Sequence, residues 1–170
     1  MMMKRIFPVV LIMLGTLLSF GALSQVCWSN RNNSAMPINL PNRLAGLPIT
    51  DSQSGAGAIA EIADLHGKEF PVNFGEIGMY GNREITLWIA GAPSESIALE
   101  MTNTMQAKIA EGNSPFTVVN EINDRNRKVY ALVGIGQKHY YFQSKNLVIW
   151  LAASPALADE ALQQILEVYS

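Results

Sequence analysis

The longest unbroken apolar run in the chain comes first: after Lys4 and Arg5, residues 6–23 pass 18 positions without a charge. A short positive segment, an apolar core and then small residues form the pattern of a secretory signal, while 18 residues also reach the length of a minimal membrane-spanning helix, about 17 to 25 residues. Ala22-Leu23-Ser24 sets small side chains at both positions that signal peptidase reads, which predicts cleavage before Gln25. If the segment is instead kept as an anchor, Lys4 and Arg5 hold its start on the cytoplasmic side. Both readings predict that residues 25–170 are extracytoplasmic, whether secreted, periplasmic or tethered to the outer face of a membrane.

Residues 25–54 are polar and rich in Asn, Ser and Pro, the pattern of a tether leading into an extended arm. Leu40, Leu44, Leu47 and Ile49 are too apolar for a pure linker, so residues 38–50 are expected to lie against the domain as an edge strand or ordered coil. From Gly55 the period of the apolar positions alternates between helix and strand. Ala58, Ile59, Ile62, Ala63, Leu65 and His66 mark a helical face that Gly67 ends. Short strands are expected at 70–74 and 77–80, a turn at Gly81-Asn82, and a buried strand at 84–90. Pro93, Glu95 and the apolar series Ile97, Ala98, Met101, Met105 and Ile109 predict a helix over 94–110. Strands follow at 116–122, 128–135, 138–143 and 147–153, then a helix over 155–168.

Leu87-Trp88-Ile89-Ala90 with Pro93 recurs as Ile149-Trp150-Leu151-Ala152 with Pro155, and each matched pair is 62 residues apart. In both copies a strand carries the Trp and Pro opens the helix behind it. The expected fold class is therefore α+β: an antiparallel sheet of about six to seven strands covered by three helices, built by internal duplication of a helix-plus-strand-meander unit. A signal or anchor helix (1–24) and the tether and arm (25–54) precede the single domain at 55–170. The run Trp150-Leu151-Ala152-Ala153-Ser154-Pro155 with Ala158, Ala161, Leu162, Ile165 and Leu166 resembles the final strand and helix of exported proteins with a PsbP-like sandwich. That resemblance is one of packing over a small part of the chain, and it implies no function.

Composition narrows the classes. With 49% hydrophobic and 15% charged residues the chain folds rather than staying disordered. The formal charge is −2, and more negative without Lys4 and Arg5, so a general attraction to nucleic acid is not expected. Cys27 is the only cysteine, so no internal disulfide forms, and Ser24-Gln25-Val26 before it lacks the small residues a lipidation site needs. Asn32-Asn33-Ser34 matches a glycosylation acceptor when read from Asn32.

Candidate chemistry is sparse. Gly55-Ala56-Gly57-Ala58-Ile59-Ala60 fits a dinucleotide fingerprint as letters, but the polar Asp51 to Ser54 before it does not read as the buried strand such a loop must follow. Hydrolase elbows and paired-histidine metalloprotease helices are absent from the sequence, and the carboxylates are scattered, so no catalytic residue and no cofactor is assigned. His66, His139, Met101 and Met105 are the residues from which a soft metal or haem site would be built, although methionines four apart on an apolar face are more often core. Gln137, His139, Tyr140 and Tyr141, close to Gly134 and Gly136, form the candidate ligand or partner surface. The expected function is a non-catalytic, exported binding or interaction domain for a protein or small molecule. The alternative is a small-molecule, metal or haem protein using His66, His139 and the methionines.

Overall fold

The computed structural model describes residues 38–66 and 71–170, all within the unit spanning residues 37–170. The expectations for the export segment, its cleavage before Gln25, Cys27, Asn32 and the helix stop at Gly67 lie outside these residues. The elements are β1 (Arg43–Leu44), β2 (Leu47–Ser54), α1 (Gly55–His66), β3 (Phe74–Tyr80), β4 (Ile85–Gly91), α2 (Glu95–Ala110), β5 (Thr117–Asp124), β6 (Arg127–Gly134), β7 (Gln137–Ser144), β8 (Leu147–Ala153) and α3 (Ala158–Val168). The eight strands form one antiparallel sheet in the order β1-β2-β3-β4-β8-β7-β6-β5. Among the described residues the class is α+β, with three helices on an antiparallel sheet.

The sheet holds more strands than the apolar pattern predicts because β2 is polar. Its segment Asp51 to Ser54 pairs with β3 while its side chains are mostly exposed, so hydrogen bonding rather than burial makes it a strand. Of the two short strands expected here, the second begins earlier, since β3 runs unbroken from Phe74 to Tyr80, while Pro71 to Asn73 of the first are not strand. Gly75 marks a close approach instead of a break, since a Cβ there would stand 2.9 Å from the backbone nitrogen of Ile59 in α1.

Alternation along the strands divides two cores. On one face Tyr80, Ile85, Leu87, Ile89, Phe142, Ile149 and Leu151 pack under Ala161, Leu162, Ile165 and Leu166 of α3. On the other, Ile77, Ala90, Leu132, Tyr141 and Val148 pack under Ala58 and Ile62 of α1 and Ala98, Met101, Met105 and Ile109 of α2. Central strands β4 and β8 are covered on both sides, which explains their continuous apolar runs. Ser94 caps α2 by accepting from Ile97 N at 3.3 Å. Arg127 fixes the end of α3, donating to the carbonyls of Leu166 at 3.0 Å and Tyr169 at 2.8 Å while paired with Asp124.

The repeated tetrapeptides meet at the centre. Trp88 and Trp150 are direct register partners across the β4–β8 pair. The helices that follow these two junctions pack on opposite faces, α2 on the Trp side and α3 behind it.

Candidate ligand cleft

On the Trp side, α1 and α2 leave a cleft of about 330 Å³ over the middle of the sheet. Its floor is the repeated motif itself. Strand alternation puts Trp88 and Ala90 of β4 on the same side, and likewise Trp150 and Ala152 of β8, so each large indole is followed along its strand by a residue too small to fill the layer. Ile62, Leu65 and His66 of α1 form one wall and Met105 of α2 contributes to another. Gln137 and His139 of β7, with Phe116 and Ile135, close the end.

His139 is buried and fully committed. Its Nε2–H donates to the carbonyl of Gly134 at 3.0 Å, and its Nδ1 accepts from the indole N–H of Trp150 at 3.2 Å. Because a carbonyl only accepts and an indole nitrogen only donates, these two bonds fix the neutral Nε2–H tautomer. Burial holds its pKa below the ordinary histidine value, against a smaller opposing effect from the Gly134 carbonyl. Phe116 packs edge-on against His139 with ring centroids 4.7 Å apart. A stack runs away from the cleft beneath α2, from Trp150 to Tyr141 at 5.2 Å and on to Tyr130 at 4.7 Å.

Two features of the lining are unusual. The Nε1 of Trp88 is screened from water and has no hydrogen-bond partner among the described residues. Ile135 and Leu65 are 74% and 64% exposed, large apolar side chains left open to water beside an apolar hollow.

Of the residues singled out in the sequence, Gln137, His139, His66 and Met105 come together around this cleft. Tyr141 lies one layer away in the aromatic stack, and Met101 is core beneath α2. Tyr140 points to the opposite face, where its hydroxyl donates to Asp159 and its pKa is raised chiefly by burial. Gln137, His139, Tyr140 and Tyr141 therefore do not share one surface. A metal on His139 would have to displace one of its two hydrogen bonds, and His66 Nδ1 already contacts the carbonyl of Ile62 at 2.7 Å. Among the described residues no three His, Cys, Asp or Glu side chains gather as a metal-ligand set. The dinucleotide-like glycines do follow a strand, and Gly55 turns the chain at φ +64°, yet β2 and β3 flanking α1 are antiparallel rather than joined by a parallel crossover.

Trp88, Trp150, Phe116 and Ile135 were not among the sequence candidates. The signal for the two tryptophans was present, since the 62-residue repeat that marks the strand-to-helix junctions also supplies the floor of the cleft. A wider groove of about 730 Å³ lies along the far side of α2, but its Lys128 and Arg127 are already paired with Glu121 and Asp124. Comparison with known proteins gives no match to a family model, a curated protein or a solved structure.

Proposed function

We propose that this chain is an exported, non-catalytic binding domain whose ligand site is the cleft between α1 and α2. The observation that carries the reading is an aromatic-walled hollow of about 330 Å³, within the range of small-molecule sites, with a few inward polar groups and exposed apolar side chains at its edge. Among the described residues the lining contains no Asp, Glu, Lys, Arg, Ser or Cys, so these offer little for proton transfer or nucleophilic attack beyond histidines. Export rests on Lys4, Arg5 and the charge-free run at 6–23. The two Trp-bearing junctions are read as copies of one unit, supported by their common 62-residue offset and by the pairing of Trp88 with Trp150.

Binding is tested with N-phenyl-1-naphthylamine, an uncharged probe that fluoresces in apolar surroundings. Saturable enhancement is expected, and Ala90→Leu, which fills the floor, should abolish it while the circular dichroism spectrum is unchanged. Saturable binding that survives Ala90→Leu would place the site elsewhere. Cell fractionation and the mass of the recovered chain test export: a product beginning at Gln25 is expected outside the cytoplasm, and a cytoplasmic product starting at the initiator Met would refute it. The soft metal or haem alternative draws on the convergence of His66, His139 and Met105 at the cleft. Stoichiometric metal or a haem absorption band in protein from its native compartment, lost in His139→Ala, would replace the first reading with this one.

A further inference from the structure

Resting on the reading of the α1–α2 cleft as a ligand site, we infer that its ligand is an uncharged, largely apolar small molecule bearing a hydrogen-bond acceptor that takes the indole N–H of Trp88. The absence of charge follows from the wall. Among the described lining residues none is Asp, Glu, Lys or Arg, so apart from its two histidines the described wall offers an ion no charged partner to offset its desolvation. His139 supplies no counter-charge, because the bonds to Gly134 and Trp150 keep it neutral.

The acceptor follows from Trp88. An indole nitrogen is a donor only, buried donors in native proteins are nearly always paired, and this one has no partner among the described residues. The Trp88 ring lines the cleft while its N–H is covered, so a ligand's carbonyl or ether oxygen satisfies that donor if the side chains around the ring shift as the ligand enters. The rest of that ligand meets Phe116, Trp150 and Met105, surfaces suited to a flat or branched hydrocarbon framework. A volume of about 330 Å³ gives room for a fused bicyclic ring system.

Three naphthalenes of nearly equal size separate these elements: 2-acetylnaphthalene carries the acceptor, 2-isopropylnaphthalene lacks it, and 2-naphthoate adds a charge. Titrated into the purified chain at neutral pH, the ketone is expected to bind about tenfold more tightly than the hydrocarbon, and the carboxylate at least as poorly as the hydrocarbon. In Trp88→Phe, which keeps an aromatic ring but removes the N–H, ketone and hydrocarbon should bind alike. The Trp88 indole resonance in a proton–nitrogen correlation spectrum should move on adding ketone and stay nearly fixed with hydrocarbon, a readout that does not depend on the variant folding. Equal wild-type affinities for ketone and hydrocarbon, carboxylate binding as tight as that of the ketone, or a ketone preference that survives Trp88→Phe would each overturn the inference while leaving the cleft a ligand site. If none of the three binds, both the inference and the reading beneath it fall.

Discussion

Ile135 has a φ of +52°, with Gly136 at +76°, in the two-residue turn joining β6 to β7. Such a turn favours Asn-Gly, and a β-branched residue in the left-handed region is disfavoured by about 1–2 kcal/mol. A strained, 74% exposed Ile at the edge of an apolar cleft is better explained by what it touches there than by the turn. Ile135→Asn should therefore raise the unfolding free energy by about 1 kcal/mol in urea titrations while weakening N-phenyl-1-naphthylamine binding several-fold. A stability gain with unchanged affinity would remove Ile135 from the site. His139 makes a second prediction at this scale. Its folded pKa is lowered by burial, whereas in the unfolded chain it takes up a proton near the ordinary value of about 6.5. Its contribution to stability is thus fully present above about pH 6.5 and is lost as pH falls toward the lowered folded pKa. A proton on Nδ1 would also face the Trp150 N–H donor to donor. Urea midpoints should fall between about pH 7 and pH 5, and His139→Asn should flatten that slope; an identical slope in the variant would assign the acid sensitivity to other groups.

At the level of elements, the position of α1 decides the width of the cleft, and Gly75 decides the position of α1. A Cβ on residue 75 would lie 2.9 Å from Ile59 N and 3.1 Å from the carbonyl carbon of Ala58, against backbone that cannot swing aside. Gly75→Ala should cost about 1–3 kcal/mol as α1 is pushed off β3, and probe binding should weaken with it because Ile62 and Leu65 ride on that helix. Thermal unfolding and the fluorescence titration measure the two effects; a neutral variant would mean that α1 is only loosely held. The same residue shows what can be read from letters alone. Gly75-Glu76 looks like a break between two strands because a glycine needed for close approach is indistinguishable in sequence from one needed for a turn. The polar β2 escapes for a related reason: its alternation is not apolar, and only its partner β3 makes Asp51 to Ser54 a strand. By contrast α2, β8 and the hairpins of the second half were legible, since apolar spacing, Ser94 and Pro93 all point to the same elements.

For the molecule as a whole, the site was less legible than the fold because the cleft draws on β4, β7, β8, α1 and α2, elements that only the topology assembles. His66, His139, Gln137 and Met105 were visible as residue types, but nothing in their spacing says that they face one hollow. The paired Trp-x-Ala motif was visible as well, and becomes a cleft floor only once β4 and β8 are neighbours in register. That adjacency also sets the stability profile. β4 and β8 carry both cores at once, whereas β5 is a sheet edge whose side chains are almost all exposed, Val118 and Val119 included. Edge strands with little buried area open locally, while central strands exchange their amide protons only when the whole domain unfolds. Amide exchange should accordingly be slowest at Leu87, Ile89, Ile149 and Leu151, with free energies equal to global unfolding, and faster by orders of magnitude along the outer edge of β5. A saturating cleft ligand adds its binding free energy to global unfolding, so it should slow exchange in β4 and β8 and leave β5 almost unchanged. Protection of β5 equal to that of β8 would show instead that the outer edge is covered, and would direct attention from the cleft to a partner strand at Val118 and Val119.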